Sequence, residues 1–150
     1  MRVDKNIMNH VKVPVAVHLL LIKDNKILLS RRYKTGFEDG NYSLVAGHVE
    51  CGETIKQAMI REAKEEANIV LDSKNLKSVQ VMYRKTNIEE RIDYFLVAEQ
   101  WTGNLRNNEP NKCDDLRWFN FYEIPSNIVA YIKYALEKYL DGDVFTEFGW

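Results

Sequence analysis

The stretch that decides the reading is GHVECGETIKQAMIREAKEEANI, Gly47 to Ile69. Thr54 has the character of a helix N-cap, and Gln57, three residues on, completes a capping box. Good helix formers fill the next turns, so the spacing predicts a helix over Glu53–Ala67. At about 100° per residue, Ile55, Ala58, Met59 and Ala63 share one face, and Lys56, Gln57 and Lys64 share the opposite one. Glu62 and Glu66 fall within about 20° of Ile55, in the middle of the apolar stripe, and Glu65 lies on its flank. A solvated face would put these glutamates opposite Met59. Carboxylates on a core-facing stripe are costly to desolvate unless they are paired or hold a cation. Residues three and four apart are neighbours on a helix, so Glu62, Glu65 and Glu66 converge. An all-oxygen donor set suits a hard divalent ion, magnesium or manganese, and such ions commonly bridge to phosphates. The bland alternative is a structural calcium site.

Working outward, Gly47 and Gly52 flank the loop that leads into this helix, and Glu53 and Arg61 are spaced to pair if that loop folds back. Upstream, Val13–Ile22 is nearly all apolar, which fits a central strand covered on both faces. Lys23-Asp24-Asn25 is turn chemistry, so Lys26–Arg32 closes a hairpin. Thr35–Asn41 reads as a loop and Tyr42–Val45 as a short strand. Downstream, Leu76–Lys85 and Arg91–Trp101 are rich in β-branched and aromatic residues. Thr102-Gly103-Asn104 is a turn, Asn107–Asp115 a polar loop, and Leu116–Phe121 a last short strand. Pro125-Ser126 announces a second helix with Ile128, Ile132, Leu136 and Leu140 on one stripe and Gly142 as its stop. The tail Asp143–Trp150 packs either on its own core or on a partner. Helices are too few for a βαβ repeat, so the expected fold class is α+β, a mixed sheet between helices, in one domain over residues 1–150.

Bulk properties narrow the function. The chain has 150 residues, 45% hydrophobic and 29% charged, with a net charge of −1. No global field draws it to nucleic acid or an anionic membrane. The longest apolar run is too short to span a bilayer, and Met-Arg-Val-Asp-Lys-Asn leads into no signal-peptide core. Cys51 and Cys113 have no metal-ligand spacing, which suits reduced thiols and a cytoplasmic setting.

Gly47, Glu53, Arg61-Glu62 and Glu65-Glu66 together resemble the Nudix box: Gly, five residues, Glu, seven residues, Arg-Glu, an aliphatic, any residue, Glu-Glu, any residue, Gly, an aliphatic. The strand pattern on both sides also looks like the Nudix fold. Two positions depart from the box. Asn68 replaces the last glycine, and Asn is the next-best residue for a left-handed helix end; Ala63 thins the aliphatic after Arg-Glu. No carboxylate is lost. The resemblance implies a Mg2+-dependent hydrolase, with Mn2+ as the other metal, cleaving the phosphoanhydride of a nucleoside diphosphate linked to another group. It implies that Glu62, Glu65, Glu66 and the Gly47 carbonyl hold metal, that Glu53 orients the site through Arg61, and that Glu109, in a loop beyond the box, is the general base or an added ligand. Alternation along the strand puts one of Arg31 and Arg32 toward the site, and both are candidates for phosphate. Phe37, Tyr42, Tyr83 and Trp118 are the aromatics available for a base, with Phe37 the choice. The absence of a second domain favours nucleoside triphosphates of the MutT-like type, ahead of ADP-ribose or nucleotide sugars. A non-catalytic sensor is the reading from another class. The protein is expected as a monomer or homodimer. His18 reads as a satisfied core histidine, and His48 has no derivable role.

Overall fold

A computed structural model describes residues 10–150. The six residues read above for a signal segment lie outside them. Strand β1 (Val15–Lys23) is the spine. Along it, Val17, Leu19 and Leu21 join one hydrophobic cluster and Leu20 joins a second on the opposite face. The continuous apolar run is therefore a strand buried on both sides, as read. Helix α1 (Ile55–Ala67) covers the first face with Ala58, Met59, Ala63 and Ala67. Helix α2 (Ala130–Asp141) covers the second with Ile132, Ala135 and Leu136. The result is a mixed sheet between two helices.

The partners of β1 change along its length. It runs parallel to β7 (Glu90–Ala98) from Val15 to Leu21. On its other edge, Ala16–Leu19 pair antiparallel with β4 (Val45–His48), whereas Ile22 and Lys23 pair with β2 (Lys26–Arg32). Strand β2 then pairs with β3 (Tyr42–Ser43), β5 (Ile69–Val70) follows α1 directly, and β6 (Lys77–Lys85) pairs antiparallel with β7. Strand β5 pairs with β8 (Thr102–Gly103), so the expected turn is itself a short strand. Strand β9 (Cys113–Asn120) pairs with β2. A cleft opens beside the place where β1 exchanges β4 for β2, and residues of all three strands line it.

Several boundaries differ from the reading. Leu44 separates β3 from β4, and strand continues to His48 because β1 still pairs there. Strand β9, expected from Leu116 as the last, begins at Cys113, drawn out by β2. Helix α2 begins at Ala130 after Val129, without a side-chain cap from Ser126, and Leu140 is 49% exposed rather than on the buried stripe. The tail forms β10 (Phe145–Phe148), parallel to β6, so it packs on its own chain.

Candidate active site

The capping box at the start of α1 forms as the sequence predicts. Thr54 Oγ1 accepts from Gln57 N–H at 3.2 Å, and Gln57 Oε1 accepts from Thr54 N–H at 2.9 Å. At the other end Asn68 takes a left-handed conformation, φ 56°, and its N–H reaches the Ala63 and Lys64 carbonyls. Three further carbonyls of the last turn are met from a distant loop. Asn108 Nδ2 donates to Glu65 O, Asn108 N–H to Glu66 O and Arg106 N–H to Ala67 O, at 3.0, 3.0 and 3.1 Å. Unmet helix-end carbonyls need partners. Here their partners dock the loop that carries Glu109, which lines the same cleft as Glu62, Glu65 and Glu66.

Arg61 organises the start of the cleft. It grips Glu53 with both arms, Nε to Oε1 at 2.6 Å and Nη2 to Oε2 at 3.1 Å. Nη2 also donates to the His48 carbonyl at 3.0 Å, and Nη1 reaches Glu62 at 2.7 Å and Glu65 at 3.4 Å. The anticipated Glu53–Arg61 pair is therefore present and ties the box loop to the helix. Its bond to Arg61 holds the Glu53 carboxyl below its usual range.

Two of the helix carboxylates, Glu66 and Glu62, are raised by their surroundings. Burial, aided by the neighbouring Glu62 charge, pushes Glu66 up to about 8; Glu109 adds to the push, and an Ala46 N–H at 3.2 Å opposes it. Burial also raises Glu62, against Arg61. A Cβ on Gly47 would come within 2.0 Å of the Glu62 carboxyl, so only glycine leaves that side chain its place. Among the described residues, no three acidic, histidine or cysteine side chains are gathered closely enough to enclose an ion as they stand. Arg61 engages Glu62 and Glu65 and makes no bond to Glu66. The donor set nevertheless fits a hard divalent cation. It is all oxygen, it includes a carboxylate that lacks a cationic partner within 4 Å among the described residues, and glycine keeps space beside it.

The cleft is about 1020 Å³, and cations line it as well, Arg32, Lys34 and Lys112 among them. Strand alternation separates the two candidate arginines. Arg32 lines the cleft, its guanidinium bonded to Phe37 O at 2.6 Å and Thr35 Oγ1 at 3.0 Å. Arg31 is not in the cleft; its Nε is tied to Asp114 at 2.7 Å on the next strand, which corrects its assignment to phosphate. Of the aromatics, Phe37 stands at the cleft, half exposed. Tyr42 is buried and bonded to Asp115, Tyr83 packs on Trp150, and Trp118 on Trp101.

Sequence reasoning missed several cleft residues. His48, left without a role, bridges the box to β7: its carbonyl meets Arg61 and its Nε2 lies 2.8 Å from Arg91 Nη2. Arg84 and Tyr131 also line the cleft, and no local pattern marks them. Asn108, which docks the Glu109 loop without lining the cleft, carried the one available signal, a polar side chain beside Glu109.

Residues 12–139 match the NUDIX domain. A segment of 65 residues, 43% of the chain, is 46% identical to an ADP-ribose pyrophosphatase of Methanocaldococcus jannaschii, covering 38% of that protein. Over 110 residues, 71% of the chain, it is 30% identical to an oxidized purine nucleoside triphosphate hydrolase of Danio rerio, covering 66% of it. The chain thus spans less than two thirds of the length of either relative. The crystal structure of a MutT NUDIX hydrolase from Burkholderia pseudomallei superposes with a TM-score of 0.77 at 27% identity, over 84% of this chain and 97% of that one. With that match running through β1, the box helix and most of α2, the chain belongs to the NUDIX domain family.

Proposed function

We propose that this protein is a divalent-metal-dependent hydrolase of the phosphoanhydride bond in a nucleoside diphosphate linked to another group, with nucleoside triphosphates as its substrate class. The observation that carries this is Glu66, a half-buried carboxylate raised to about 8 beside Glu62 and Glu109, in a cleft that Arg32, Lys34 and Lys112 also line. Carboxylates and cations lining one cleft match a ligand that brings metal and phosphate together.

Glu62, Glu65 and Glu66 would hold magnesium, or manganese in its place, with the Gly47 carbonyl as a further donor. When bound, such an ion neutralises phosphate charge and makes water a better nucleophile. The chain's own residues do the rest. Arg32, Lys34 and Lys112 bind and orient the phosphates. Glu109, docked beside the carboxylates by Asn108, accepts the proton of the attacking water. Arg61, fixed by Glu53 and the His48 carbonyl, holds the box loop over the helix. Phe37 packs against the nucleoside.

ADP-ribose hydrolysis is the second reading, favoured by the relative of that name. Against it, the aromatic tail, a natural element for a strand-sharing dimer, already pairs within its own chain. The test is phosphate or nucleotide release with Mg2+ over nucleoside triphosphates, ADP-ribose, sugar nucleotides and dinucleotides. Triphosphates are expected to turn over fastest. Preference for ADP-ribose would select the second reading, and no turnover of any by folded protein would leave the sensor.

A further inference from the structure

The cleft has a second group of polar residues that the proposed hydrolysis does not use. Asp93, wholly buried on β7, accepts from Arg84 Nε at 2.6 Å through Oδ2 and faces His18 Nε2 at 3.0 Å through Oδ1. Burial pushes the Asp93 carboxyl up, but the bonds from His18 and Arg84 outweigh it and hold the group well below the usual carboxylate range. Asp93 is thus an anion that can only accept, so the proton on His18 sits on Nε2. The His18 ring is 3% exposed, stacks on Phe95 at 4.8 Å and lines the cleft. Tyr131 meets its edge at 5.7 Å and carries the Arg84 guanidinium over its own ring at 3.7 Å.

This arrangement leaves two polar atoms without partners among the described residues. One is His18 Nδ1, and the other is Arg91 Nε. In the neutral ring Nδ1 is an acceptor, because Asp93 has fixed the other nitrogen as the donor. Arg91 Nε is a donor, and it stands 3.9 Å from Asp93 Oδ1, too far to bond. Arg91 Nε stands near the same carboxylate oxygen that His18 meets through Nε2, and both residues line the cleft. Buried polar atoms without partners are rare, and each asks for an explanation. A structural ion pair accounts for Asp93 and Arg84 but has no need of an oriented histidine with a spare acceptor. The same cleft also takes two exposed apolar side chains from separate loops, Phe37 at 50% and Ile88 at 91%, which suits a flat ring.

We propose that His18 determines base specificity, its Nδ1 accepting the ring N–H of a nucleobase whose adjacent carbonyl oxygen is met by Arg91. That N–H beside C=O edge belongs to guanine, hypoxanthine, uracil and thymine, and a guanidinium favours the carbonyl acceptor. Asp93 and Arg84 are positioning residues, acting only through the imidazole. The inference rests on the nucleotide reading above and specifies the base class.

The test is binding without turnover. Metal-free protein is titrated with GMP, UMP, AMP, CMP and inorganic pyrophosphate, following heat and the 15N resonances of the histidine rings. GMP and UMP are expected to bind about tenfold more tightly than AMP and CMP, the size of one satisfied buried hydrogen bond, and to move the His18 Nδ1 resonance. His18→Phe keeps the ring on Phe95 and is expected to remove that preference while binding pyrophosphate as before. The 15N shift in the wild type needs no variant, so misfolding of His18→Phe does not protect the proposal. An Nδ1 resonance unmoved at saturating GMP, equal binding of AMP and GMP, or an unchanged preference in His18→Phe overturns it. If triphosphates are still hydrolysed in that case, the base assignment alone falls. If none of the nucleotides binds or turns over, the nucleotide reading falls with it.

Discussion

Glu66→Gln tests the physical basis of the candidate site directly. The folded protein raises this carboxyl from 4.5 to about 8, chiefly by burial. Its folded value lies above its unfolded one, so folding takes up a proton between those two pH values. The stability carried by the neutral form is complete below the lower value and drains away as pH rises through the upper one. At about 1.36 kcal/mol per pH unit, the metal-free wild type should lose roughly 3 kcal/mol by pH 7 and at most about 5 kcal/mol above pH 8. Glutamine is neutral throughout, and its Oε1 can still accept from Ala46 N–H, now 3.2 Å from Glu66. The variant should therefore match the wild type near pH 5 and exceed it by a few kcal/mol near pH 9. Urea unfolding in a chelator at three pH values reads this. Magnesium should reverse the order, since it stabilises the form that binds it, and turnover should fall by about a hundredfold or more. A variant destabilised equally at every pH would refute the buried-charge reasoning. Full activity in the variant would remove Glu66 from the site.

Gly47→Ala places a methyl 2.0 Å from the Glu62 carboxyl, and that flexible end yields before the backbone does. The fold should persist while Mg2+ affinity, measured by calorimetry, falls about tenfold. Arg32→Ala should raise KM by about tenfold through loss of a charge-assisted contact, whereas Arg31→Ala, which breaks only an exposed pair with Asp114, should leave KM within about twofold. Asn68→Ala forces an alanine to φ 56° and removes a 2.9 Å bond to Asn104 O, costing about 1–2 kcal/mol in urea unfolding.

The box helix, its cap at Thr54, its left-handed stop at Asn68 and the Glu53–Arg61 pair were all legible in the chain. They depend on neighbours within about eight positions, where helical geometry turns spacing directly into contact. The apolar run of β1 announced burial on both faces for the same reason. What the chain could not announce was the outcome of pairing between distant segments. Alternation placed Arg31 and Arg32 on opposite sides of β2, but only the arrival of β9, with Asp114, decided which one was taken from the cleft. The tail became β10 because β6 offered it an edge. Asn108 and Glu109 reached the site because the last carbonyls of α1 needed partners that no local residue supplied. His18 and Asp93 stand 75 residues apart and meet through the parallel pairing of β1 with β7. Local physics thus determined the helix and its carboxylates; the sheet, whose contacts ignore sequence distance, decided what faces them across the cleft.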